Sequence, residues 1–176
     1  KSDLSKYELI SIKSHIFKLK SHDIYLLLPK SKKNNIITTL NKNNIYEYLY
    51  KVHQVEDYCL NSIDNYNNLL LNIEFYEFYK SYSHVLIAQM DAYTFSDQLI
   101  KWCNSEWDYI GAPIYYWNKY SEPYYVCCGD GGFNLRSIKK TLEVIRENPI
   151  IYKFGDFIIE IKEYSFRGKL VLFLKF

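Results

Sequence analysis

The chain has 176 residues, and its 22 Lys and Arg against 20 Asp and Glu leave a formal charge of +2, which argues against a nucleic-acid module built on a basic face. Apolar residues make up 48%, enough for a chain of this length to fold alone around one core, so global disorder is excluded and a single domain over residues 1–176 is expected. Aromatics reach 18%, including 19 Tyr, more than a core of this size needs, so some tyrosines are expected to line a surface cleft.

Ser5-Lys-Tyr-Glu8 has the spacing of a capping box, and Leu9, Ile12, Ile16 and Leu19 recur at three and four, which predicts an amphipathic helix. The continuous apolar run Ile24–Leu28, stopped by Pro29, suits a strand covered on both faces. Helix followed by buried strand points to an α/β layered domain. The polar stretch Lys30–Asn44 reads as a solvated loop or surface helix. From Asn61 to Tyr82 the period is helical, with Leu69, Leu70, Ile73, Tyr76 and Tyr79 as one stripe and Asn72 as an internal cap, giving two short helices or one kinked helix.

His84–Asp91 reads as a hydrophobic strand that ends abruptly in polar groups, and Ser96-Asp-Gln-Leu99 is expected to cap a short helix through Cys103. Asp108–Pro113 reads as a strand closed by small residues and proline. Ile114–Tyr125 then reads as a tyrosine-rich loop, and Gly129–Gly132 as a tight turn. Ser137 caps a helix from Ile138 to about Glu147. Two strands with a turn at Arg167-Gly168 are expected in the remainder.

Three places could carry chemistry. Gln89-Met-Asp91, at a strand's carboxyl end, puts an acid where Mg²⁺ or Mn²⁺ could be held against a diphosphate, or where it caps the next turn. The loop Gly129-Asp-Gly-Gly132 leading to Phe133 and Arg136 lets a sugar ring approach the backbone while Asp130 accepts from hydroxyls; it matches neither the P-loop nor the dinucleotide fingerprint. Asp156 sits in an apolar setting that would raise its pKa toward the range of a general base. The histidines His15, His22, His53 and His84 show no metal-pair spacing and read as surface or structural groups. Four cysteines without a C-x-x-C pair fit reduced thiols in the cytoplasm and give zinc no support. No apolar run approaches the roughly 20 residues of a spanning helix, so contact with a membrane would be peripheral at most.

Together, Tyr66–Tyr76, His84–Phe95, Asp108–Pro113 and Gly129–Arg136 resemble, in order and spacing, an uncharacterised family of glycosyltransferase-like domains. That pattern has a strand ending in Gln-x-Asp, then Tyr-Ile-Gly-Ala-Pro-Trp, then Gly-Asn-Gly-Gly-Phe-Ser-Leu-Arg. The family looks like the GT-A type, so the resemblance implies an α/β, Rossmann-like single domain with a mixed sheet flanked by helices. It implies a transferase that moves a sugar from a nucleotide-sugar donor to a glycan or glycoconjugate acceptor, assisted by Mn²⁺ or Mg²⁺, as in polysaccharide biosynthesis. Asp91 would then hold metal and donor with Gln89 beside it. Gly131, Gly132 and Phe133 would floor the site, Arg136 would brace the loop or pair with phosphate, and Asp156 or Asp130 would serve as catalytic base.

Several positions depart from the pattern: Gln89 replaces the first acid of an Asp-x-Asp motif, Asp130 replaces Asn, Ile114 replaces Trp and Gly155 replaces Glu. The stretch after Asn148 is short for this fold, so the resemblance implies a domain incomplete on its C-terminal side. The alternative from another class is a non-catalytic carbohydrate- or partner-binding module on the same scaffold, with the tyrosines of 115–125 stacking on sugar rings.

Overall fold

The computed structural model describes residues 4–147. Helix α1 (Lys6–Lys18) begins with the expected capping box, in which the Ser5 hydroxyl accepts from the Glu8 N–H and the Glu8 carboxylate accepts from the Ser5 N–H. Its apolar stripe buries Ile12 and Ile16 against Leu40, Ile45 and Tyr50, so Leu40 makes Lys33–Lys42 a surface helix, α2, rather than a loop. Strand β1 (Tyr25–Pro29) pairs in parallel with β2 (Lys51–Val55), Leu27 opposite His53. Alternation splits β1 between two cores: Ile24 and Leu26 pack on the α1 side, Tyr25 and Leu27 on the other.

Asn72 does act as an internal cap, its side chain accepting from the Glu74 N–H, and it separates α3 (Ile63–Leu69) from α4 (Ile73–Phe78). Phe75, Tyr76 and Tyr79 of α4 pack with Ile138, Leu142 and Ile145 of α6 (Ile138–Glu147), the helix whose start the Ser137 hydroxyl caps. Strand β3 (His84–Ala88) contributes Val85 and Ile87 to this same core.

The fold is mixed α/β, with its described strands in two sheets rather than one. Besides the parallel β1–β2 pair, an antiparallel sheet has the order β3-β5-β4, with β4 spanning Tyr109–Asn118 and β5 spanning Ser121–Ser137. The two sheets share a core: Tyr25 and Leu27 of one and Val85 and Ile87 of the other pack against the same buried cluster.

Three segments differ from their expected form. Pro113 does not end a strand: β4 is an edge among the described strands, where a missing N–H costs no ladder bond, and Pro113 pairs with Cys128 across a register shift. Ile114–Tyr125 is a hairpin arm rather than a loop, with Tyr115 opposite Tyr125 and Tyr116 opposite Tyr124, a residue type that favours strands. Gly129–Gly132 is a bulged stretch of β5 rather than a turn. Register shifts flank Ala112 on the facing strand, and Gly129 adopts φ 145°, which a side chain would strain. The strands and turn expected after Asn148 lie outside the described residues. Cys59, Cys103 and Cys127 form no disulfide, and among the described residues no helix is long and apolar enough to cross a membrane.

Candidate functional site

The end of β3 meets the glycine stretch of β5. Ala88 is in register with Phe133, and one residue further the Gln89 N–H donates to the Gly132 carbonyl at 2.8 Å. Gln89 thus shares one corner of the sheet with Gly132 and Phe133, more than 40 residues further along the chain. A turn follows, closed by the Ala92 N–H donating to the Gln89 carbonyl at 3.0 Å. Asp91 lies on this turn, exposed, with its carboxylate engaged by no described side chain.

Among the described side chains Asp91 is therefore a solitary carboxylate, at a strand's carboxyl end. Among the described residues no group of three or more His, Cys, Asp or Glu converges as a metal-binding set. A hard cation at Asp91 would draw its other ligands from water and substrate phosphate, the coordination Mg²⁺ prefers, so the residue fits that kind of cation and not a dedicated protein cage. Asp130 stands in register with Ala112 of β4. Asp156 lies outside the described residues.

Arg136 faces the core behind this corner. Its Nε donates to Asn134 Oδ1 at 2.6 Å and its Nη1 to the Tyr76 hydroxyl at 2.7 Å, while the guanidinium lies over the Tyr109 ring at 5.5 Å. Asn134, only 1% exposed, is held in this cluster. These contacts tie Arg136 to α4 and β4.

Sequence reasoning missed the element that covers the Asp91 turn, a polar face of α1. Ser11, Ser14 and His15 sit at i, i+3 and i+4, and the two serines are 5% and 7% exposed. The Ser11 hydroxyl donates to the Ala92 carbonyl. Ser14 Oγ donates to the Thr94 carbonyl at 2.5 Å and accepts from the Thr94 N–H at 3.0 Å. His15 Nδ1 meets Thr94 Oγ1 at 2.8 Å, its Nε2 meets Ser11 Oγ at 3.1 Å and the Gln89 carbonyl at 3.4 Å, and its ring stacks on Phe133 with centroids 6.2 Å apart. Burial holds the His15 pKa below its usual value, against the carbonyls of Gln89 and Ala92, which pull it up.

Further along, within the expected 96–99 cap, Gln98 holds the N-cap position without a side-chain bond and Asp97 Oδ1 accepts from the Leu99 N–H at 3.1 Å ahead of α5 (Leu99–Cys103). Its carboxylate reaches this position because Ser21 Oγ donates to it at 2.8 Å and His22 Nε2 lies within 2.9 Å. The available signal was the helical spacing of Ser11, Ser14 and His15 opposite an apolar stripe.

Residues 49–166 match the family model described as "Protein of unknown function (DUF5672)", more than half of the chain. No curated protein and no solved structure matches it.

Proposed function

The chain belongs to the DUF5672 family, and we propose that it is a glycosyltransferase of GT-A type, moving a sugar from a nucleotide-sugar donor to a glycan or glycoconjugate acceptor. The observation that carries this reading is the exposed Asp91 carboxylate on the turn after β3, beside the corner formed by Gln89, Gly132 and Phe133. When bound at Asp91, Mn²⁺ or Mg²⁺ supplies positive charge against a departing diphosphate, the main electrostatic task of such a transfer. The protein's own part is to hold donor and acceptor. Phe133 offers an apolar floor, and Gly131 and Gly132 let a sugar ring approach the backbone.

In the transfer the acceptor oxygen forms a bond to the anomeric carbon as the bond to the diphosphate oxygen breaks, and the electron pair leaves with the diphosphate. In an inverting enzyme the acceptor's proton passes to a carboxylate, which this reading assigns to Asp156 or Asp130. The cytoplasmic placement expected from the cysteines belongs with the same reading.

A second reading, a non-catalytic carbohydrate- or partner-binding module, is favoured by the exposed cross-strand pairs Tyr115 with Tyr125 and Tyr116 with Tyr124, centroids 5.9 and 5.3 Å apart. One experiment separates the two. Nucleoside diphosphate release from a panel of nucleotide sugars, with Mn²⁺, Mg²⁺ or EDTA, is expected to be metal-dependent in the wild type and abolished in Asp91→Asn. Glycan binding without any release would select the binding module.

A further inference from the structure

The imidazole of His15 touches both ends of the turn that carries Asp91: the Gln89 carbonyl before it and the Thr94 hydroxyl after it. Phe133, from β5, closes a third side. The hydrogen-bond directions follow from the partners. The Ser11 hydroxyl spends its proton on the Ala92 carbonyl, so Nε2 carries the ring proton and donates to Ser11 Oγ and toward the Gln89 carbonyl. Nδ1 is then the acceptor, and the Thr94 hydroxyl donates to it. Thr94, 4% exposed, is locked again through its backbone by Ser14. A ring bonded to both ends of a short turn sets the span of that turn.

We propose that His15 is a positioning residue, which fixes the Gln89–Thr94 turn from α1 so that Asp91 is presented to its cation in one geometry. The inference rests on the reading of Asp91 as a cation-binding carboxylate. The hold is local. The hydrophobic anchors of α1, Ile12 and Ile16, belong to a separate core cluster, and the β3–β5 ladder makes its own bonds. Loss of the imidazole therefore loosens the turn and spares the fold. Groups that orient a metal-binding residue from behind commonly change affinity by about 10–100-fold when removed.

Amide hydrogen exchange and an EPR titration with Mn²⁺ in the presence of a nucleoside diphosphate test this on the full chain. In His15→Leu, exchange at Ala92 and Thr94 is expected to quicken by about tenfold or more while the β3–β5 amides stay protected. Mn²⁺ affinity is expected to fall by about tenfold, with partial recovery in His15→Gln, whose amide can again donate to Gln89. Thr94→Val, which removes the hydroxyl that donates to Nδ1, carries the same measurements should His15→Leu fail to fold. Binding lost in Asp91→Asn but unchanged in the His15 and Thr94 variants overturns the positioning role and leaves the reading of Asp91 standing. Equal Mn²⁺ binding by wild type and Asp91→Asn overturns that reading and the positioning role together, and the exchange at Ala92 and Thr94 then decides whether His15 holds the turn at all.

Discussion

The Tyr76 hydroxyl accepts from Arg136 Nη1 at 2.7 Å and donates its own proton to the Leu70 carbonyl at 2.8 Å, so one fully buried oxygen joins β5 to the link between α3 and α4. Burial raises the Tyr76 pKa even with the guanidinium beside it, which keeps the hydroxyl a donor. Tyr76→Phe keeps the ring and deletes the joint, leaving Arg136 Nη1 and the Leu70 carbonyl with only their long 3.5 Å contact to each other in its place. Urea unfolding is expected to show a loss of about 1–3 kcal/mol. An unchanged midpoint would mean that water or the neighbouring backbone replaces the hydroxyl at no cost.

Gly111 makes a similar demand at the bulge beside the site. A Cβ built there would lie 2.9 Å from Tyr109 Cε1 and 3.1 Å from the Cα of Gly129 on the paired strand. The tyrosine ring can swing aside, but the Gly129 backbone cannot move without disturbing the bulge. Gly111→Ala is therefore expected to destabilise by about 1–3 kcal/mol. Thermal unfolding measures this, and a variant as stable as wild type would show the bulge to be pliable.

Stability should also depend on pH near neutrality. Burial lowers the pKa of both His15 and His53 from the ordinary 6.5, the latter stacked on Phe78 with centroids 4.0 Å apart. Each folded pKa lies below its unfolded value, so in the window between them the unfolded chain binds more protons than the folded one. The stabilisation is then complete above about pH 6.5 and is lost as pH falls through the folded values. Asp23, bonded by Tyr82 and Lys51, and Asp57, bonded by Ser31, also have lowered pKa values, and their contribution disappears only below about pH 4. Urea midpoints between pH 5 and 7 are expected to rise with pH, and the slope to flatten in the double variant His15→Gln/His53→Gln. The same slope in both proteins would assign the effect elsewhere.

Features set by near neighbours were legible in the sequence, and features set by distant partners were not. The Ser5–Glu8 capping box and the Asn72 cap each close within three residues, and both stand as read. Strand β2 passed unmarked because Lys51-Val-His-Gln-Val55 is barely apolar; it is a strand through pairing with β1, 26 positions away. The glycines of 129–132 read as a turn because their local freedom is evident while their extended partner β4 is not. At the candidate site, Gln89, Asp91 and Phe133 could be marked one by one. Ser11, Ser14 and His15 could not, because polar groups on a helix signal solvent unless the loop that buries them is known, and that loop lies about 80 residues downstream.

The hairpin arm offers the opposite case to the Tyr76 joint. Tyr115 and Tyr116 are consecutive on β4 and so point to opposite faces, yet both rings and their partners Tyr125 and Tyr124 are exposed. Both faces of the arm therefore stand in solvent, and Tyr116 lies against its cross-strand partner Tyr124. Such a pair contributes about 0.2–1 kcal/mol. Tyr116→Ala, which removes a whole ring, is thus expected to cost less than Tyr76→Phe, which removes one oxygen, and a double-mutant cycle with Tyr124→Ala should return a coupling within that range. A loss as large as that of Tyr76→Phe would mean that the arm packs on something besides its own partner strand. A near-zero loss together with weakened glycan binding would identify these rings as a sugar-stacking surface, since folding would then give no reason to keep four tyrosines on an exposed arm.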